Sequence, residues 1–300
     1  MPMIIALLLI CFGTVTASAT HNPSALQKRL QRAVEGFPAH VAVAFDRVSA
    51  SGAPPLHAGV NQSDTMIAMS TIKLPLAVAA LRAHNVGLLN LSAVAHIDSA
   101  ELERDTYSPL CEIYGAPFSL TLREFLSAAV HRSDNVATDV IVDGMGGANA
   151  VTAVLRNMGF TDVTMGTAYR DMHKNGIGAN WATALGMNAV LRAIADSSAV
   201  NGAARRWLID QLVTTPTTAK RLKGALPDGT VVAHKTGTYY GNTTPPCQAI
   251  NDVGIIFMPN GDMLVCSVFV NNSQRSASET EAFIARLVKM GYDFFRKVAR

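Results

Sequence analysis

Charged side chains are scarce in this chain: Asp, Glu, Lys and Arg make up 16% of its 300 residues and nearly cancel, to a formal net charge of +3. The lysines and arginines are scattered, so the charge pattern offers no face for nucleic acid or for an acidic partner. Long hydrophobic runs are missing as well. Residues 3–12 are apolar but too few to span a bilayer, and no later segment stays apolar for the ~18 residues that a spanning helix needs. Histidines at metal-binding spacings such as H-E-x-x-H do not occur, so neither a metal nor a cofactor is expected. The glycine cluster at residues 144–147 follows a helical pattern rather than a strand, which makes it a helix stop and not a phosphate cradle. Internal repeats and low-complexity linkers are absent.

Apolar residues, by contrast, make up 49% of the chain, enough for a sizeable core in one large domain or two interleaved ones. The short apolar run at residues 3–12 followed by Ala17-Ser18-Ala19 fits a signal peptide over residues 1–19, cleaved before Thr20. The mature protein is therefore expected to be secreted or periplasmic, with Cys11 removed. Three cysteines then remain. Cys266 in "MLVCSVFV" has the setting of a buried strand residue, which leaves Cys111 and Cys247, both in loop-like sequence, as the candidate disulfide in an oxidising compartment.

Periodicity predicts a helix over residues 23–35 and an alternating strand, "HVAVAFDRV", over 40–48. From 70 to about 194 the pattern is helical, and Thr121 followed by Glu124 reads as a capping box. After one more helix near 203–212 the strands return as "TVVAHKTGT", "DVGIIFM" and "DMLVCSVFV", the last two joined by Pro259-Asn260-Gly261. A long amphipathic helix, 279–298, ends the chain. Strands at both ends with helices between them imply an α/β sandwich whose antiparallel sheet comes from both termini and carries an inserted, mainly α-helical domain. The division is residues 20–68 and 202–300 against 69–201, with a site expected in the cleft between.

The chemistry-bearing residues begin in "AMSTIKL". A helix would place Ser70 and Lys73 on one face at i, i+3, where the amine can take the hydroxyl's proton. Further on come Ser133-Asp134-Asn135 and Lys235-Thr236-Gly237. A serine with a lysine three residues on, then Ser-Asp-Asn, then Lys-Thr-Gly, in that order, resembles the penicillin-recognising serine enzymes, and class A β-lactamases in particular. Tyr107-Ser108-Pro109, "LREFLSAAVHRSDN" and "INDVGIIF" extend the resemblance over most of the mature chain. It implies the β-lactamase/transpeptidase-like fold and a monomer acting on a small β-lactam or a cell-wall peptide. It also implies that Ser70 is the acylated nucleophile, Lys73 its proton partner and Ser133 the donor to the leaving nitrogen. Asn135, Lys235, Thr236, Thr238 and the edge residue Tyr107 would hold the substrate, with the N–H groups of Ser70 and Thr238 as oxyanion hole. Asp134 is expected to be structural, and His234 solvent-exposed.

The chain departs from that family in one place. Hydrolytic members carry a glutamate in an R-x-E-x-x-x-N loop, where it activates the water that releases the acyl group; here no glutamate occurs between Glu124 and Glu279. The corresponding loop, "TAYRDMHKNGIGANWAT", offers Asp171, four residues before Asn175 but next to Arg170. If Asp171 reaches the water, the enzyme hydrolyses β-lactams. If it only pairs with an arginine or faces solvent, the ester persists, as in a D,D-peptidase acting on D-Ala-D-Ala peptides or a penicillin sensor.

Overall fold

The structure, a computed structural model, describes residues 23–241 and 247–298; the expected signal segment and Cys11 lie outside them. Five antiparallel strands form the main sheet in the order Leu56–Val60, His40–Val48, Met263–Ser273, Cys247–Phe257, Val232–Tyr239. Both ends of the chain thus meet in its centre, where Phe45 pairs with Cys266. The turn before the strand Met263–Ser273 uses Gly261 at φ +88°, a conformation open to glycine at little cost.

Side-chain alternation divides the strands between two cores. Val41, Val43 and Phe45 face the terminal helices Pro23–Glu35 and Ala277–Val298, which contribute Leu26, Leu30, Phe283 and Leu287. Ala42 and Ala44 face the other way, into a core shared with the helices of the insert. Their small side chains let the helix Ala184–Ala195 lie directly on the sheet.

The helix Lys73–Asn85 is buried on nearly every side, from Lys73 through Leu81 and again at Ala83. A helix with so little polar surface has to be wrapped by others, and Leu122–His131, Asn135–Gly144 and Ala148–Asn157 pack around it. The helix Gly202–Val213 sends Leu208 and Leu212 into that same core.

Three local features differ from the sequence reading or sharpen it. The capping box is present, with Thr121 and Glu124 exchanging side-chain and backbone bonds. The helical run that follows is broken in two: Ser133 adopts φ +61°, and the Asp134 carboxylate caps the next helix by accepting from Ala137 N at 2.8 Å. Cys111, expected in a disulfide with Cys247, is a free thiol; it sits in the short helix Pro109–Tyr114, beside its N-cap Ser108, while the Cys247 side chain lies outside the described residues. No helix among the described residues is long and apolar enough to cross a membrane.

Phe45 is fully buried, and its ring lies against Gly291, where an added Cβ would come within 2.9 Å of Cε1. Phe45→Ala is expected to cost about 3–5 kcal/mol, the usual range for emptying such a site, read as a lower urea midpoint at unchanged slope.

Candidate active site

Ser70 sits on a 3₁₀ turn, Met69–Ile72, entered through buried Met69 at φ +48°. The turn is clamped from both sides. Asn251, fully buried on the sheet, donates to Ile67 O at 2.8 Å and Ala68 O at 3.2 Å, while Ala68 N donates to Asn180 O at 3.0 Å. The strand Val232–Tyr239 passes so near that a Cβ on Gly237 would lie 2.7 Å from Ala68 O and 3.1 Å from Ser70 N. Only glycine permits that approach, which brings the strand backbone alongside the Ser70 amide.

Lys73 follows in the first turn of its buried helix. Its ammonium donates to Ser133 O and to Asn135 Oδ1, both at 2.6 Å, and to Ser133 Oγ at 3.5 Å. Lys235 donates to the same Ser133 Oγ at 2.9 Å and to Thr236 O at 3.0 Å. One hydroxyl therefore stands between two buried amines. Burial above all, and then the Lys235 charge, hold the Lys73 amine well below the ordinary lysine range, with Asp134 and Asp139 pulling the other way. Burial also lowers Lys235, to about 7, against the upward pull of Asp252.

Asn135 completes its bonding by donating to Thr106 Oγ1 at 3.0 Å, and its N–H reaches Tyr107 O at 3.0 Å. Tyr107 itself is 58% exposed at the rim. Asp134 is structural, accepting from Ser108 Oγ and Leu110 N besides its capping bond. His234 corrects the sequence reading: it is 1% exposed, its Nδ1 3.0 Å from the Asp252 carboxylate. Alternation puts it on the strand face of Val232, which the terminal helices cover.

The loop read as the site of the deacylating acid is closed by pairing of Val163–Met165 with Asn180–Ala182. The Asn180 amide ties its neck, accepting from Gly166 N at 2.9 Å and Thr167 N at 3.0 Å. Asp139, buried on the neighbouring helix, accepts from Tyr169 N at 2.6 Å, Arg170 N at 2.9 Å and an Arg104 guanidinium nitrogen at 2.7 Å. With those amides pinned, Tyr169 turns inward: its hydroxyl donates to Ser70 Oγ at 3.5 Å, and its ring centroid lies 4.4 Å from Lys73 Nζ. Burial pushes the phenol's pKa up. Asp171, two residues on in a 3₁₀ turn of three residues per turn, points elsewhere. It is half-exposed, pairs with Lys174 at 3.5 Å and lies outside the cleft, so the structure does not bring it to Ser70. Arg170 pairs with Asp143 rather than with Asp171.

Ser70, Tyr107, Ser133, Asn135, Tyr169, Thr236 and Thr238 line one cleft of about 750 Å³. It also contains Arg221, which sequence reasoning missed. This buried guanidinium donates to Thr238 Oγ1 at 2.8 Å, Gly237 O at 3.1 Å and Asn251 O at 2.9 Å, and pairs with Glu281 at 3.1 Å. Its segment carries no motif. Tyr169 carries no carboxylate to mark it as the acid of this loop; a large aromatic inside a polar loop was the available signal.

Because Asp139 holds three N–H donors, Asp139→Ala is expected to destabilise the fold by about 3–5 kcal/mol, the usual cost of unpairing one side of a buried ion pair. Denaturant titration measures this, and loss of protection at the Tyr169 and Arg170 amides in hydrogen exchange locates it.

Comparison with known proteins gives a consistent result. Residues 25–295 match the β-lactamase enzyme family. The chain is 32% identical over 238 residues to the extended-spectrum β-lactamase PER-1 of Pseudomonas aeruginosa, covering 78% of this chain and 77% of that one. β-Lactamase VEB-1 of the same organism is also 32% identical, over 75% of this chain and 77% of its own. Among solved structures, the TLA-1 extended-spectrum β-lactamase superposes with a TM-score of 0.85 at 29% identity, over 91% of this chain and 99% of that one.

Proposed function

The chain belongs to the class A β-lactamase family of serine hydrolases, and on that premise we propose that it opens β-lactams through an ester on Ser70. The observation that carries this reading is that Ser70 and Ser133 line one cleft while two lysines buried behind it bond the Ser133 hydroxyl, 2.9 Å from Lys235 Nζ and 3.5 Å from Lys73 Nζ.

In this reading a neutral Lys73 takes the Ser70 proton as Oγ attacks the lactam carbonyl. The developing oxyanion is held by the N–H groups of Ser70 and Thr238, a reading supported by the approach of the strand to the Ser70 amide at Gly237. Ser133 passes a proton to the departing nitrogen. Lys235, Thr236 and Thr238, the last oriented by Arg221, receive the substrate carboxylate, and Asn135 the amide side chain. Tyr107 borders the entrance. The mature chain is read as an exported monomer of two units, residues 20–68 with 202–300 and residues 69–201.

The position of Asp171, paired with Lys174 away from the cleft, favours a second reading of the last step: release is slower than acylation. Persistent esters are the behaviour of D,D-peptidases and penicillin sensors, so the rate of release separates these from an efficient β-lactamase.

A fluorescent penicillin is expected to label the mature protein, and Ser70→Ala to abolish the label; undiminished labelling of the variant would refute the reading. Lys73→Ala is expected to slow acylation by ~10²–10⁴-fold, the range for loss of a positioned base.

Acylation is also expected to lose efficiency as pH rises through about 7, where Lys235 discharges and loses its hold on the substrate carboxylate, so that kcat/KM falls. Lys235→Arg, which stays charged, should remove the falling limb; an unchanged profile would show that Lys235 is not the group responsible.

A further inference from the structure

Among the described residues, the hydrogen-bond partner of Ser70 Oγ is the Tyr169 hydroxyl, and no carboxylate bonds either that oxygen or Lys73 Nζ. The phenol is held firmly. Asp139 grips its backbone N–H at 2.6 Å, and Lys73 lies across its ring at 4.4 Å. Asn180 closes the neck of the loop that carries it.

We propose that Tyr169 sets the lifetime of the Ser70 ester, because its side chain stands beside Ser70 Oγ where the releasing water would have to be activated, and offers no group that takes that water's proton. Release consumes one water: its oxygen bonds to the acyl carbon as the bond from that carbon to Oγ breaks, and one water proton ends on Ser70 Oγ. A proton acceptor beside Ser70 speeds this by taking the water proton first and returning it to Oγ. A buried phenol cannot do so, since burial keeps it protonated far above neutral pH. Acylation does not meet the same obstacle, because it draws on Lys73 and Ser133.

This inference rests on the acyl-enzyme reading above, and the test separates the two. The full mature chain is mixed with benzylpenicillin and followed by intact-mass spectrometry, in wild type and in Tyr169→Phe, Tyr169→Glu and Tyr169→Asp. Wild type and the Phe variant, which keeps the ring and still lacks a proton acceptor, are expected to hold the added mass through many acylation half-times. Once acylated, the Glu variant is expected to release it at least ~10²-fold faster, the scale of a newly supplied general base; the Asp variant serves should the Glu variant fail to fold. Rapid release by wild type or by the Phe variant would overturn the proposal. So would a carboxylate variant that acylates normally yet keeps the wild-type lifetime. If no ester forms on Ser70 in any of them, the acyl-enzyme reading itself is overturned, and this inference with it.

Discussion

Two ammonium groups buried within reach of one hydroxyl are the constraint around which this molecule is arranged. Neither Lys73 nor Lys235 is open to solvent, and both bond Ser133 Oγ. Two full charges in such a setting repel each other and forgo hydration, so both amines are held below the ordinary lysine range. Lys73 is the better placed to be neutral. It opens the helix Lys73–Asn85, whose N-terminus carries partial positive charge and disfavours a cation. The wrapped helix, the aromatic ring over the amine and the strand crowding the serine turn all exclude the water that would otherwise keep it charged.

Backbone geometry carries part of the same burden. Met69 at φ +48° and Ser133 at φ +61° lie in a region that non-glycine residues enter at a cost of roughly 1 kcal/mol or more. The first lies next to the nucleophile, and the second is the hydroxyl between the lysines. Each is held by buried partners that leave no relaxed alternative: Asn251 on the turn before Ser70, and Asp134 capping the helix after Ser133.

How much of this was legible in the sequence depended on how local the cause was. Alternation in "HVAVAFDRV" and the Thr121 capping box are determined by near neighbours, and the structure contains both. The break at Ser133 was legible only as an Asp placed to cap, inside a run that otherwise kept helical period. Asp171, His234 and the cysteine pair were misread for one reason. Where a side chain points in a loop or an edge strand is decided by a distant residue: Asp139 for the loop, the covering helices for His234, the placement of the helix Pro109–Tyr114 for Cys111. Arg221 has no local signature at all; its partners lie in three other parts of the chain.

The sheet's strand order has a consequence for how the protein comes into being. The strand His40–Val48 lies between Leu56–Val60 and Met263–Ser273, so one of its edges stays open until nearly the whole chain has emerged. The clamp on the Ser70 turn, from Asn251 to Ile67, joins positions 184 residues apart. Closing such distant contacts is slow, and the apolar edge is exposed to mispairing meanwhile. The turn that carries the nucleophile therefore cannot be clamped before the strand Cys247–Phe257 has docked. A chain truncated just before that strand would retain the helices up to Gly202–Val213 but have no clamped serine turn, and would present an unpaired strand to aggregation and proteolysis.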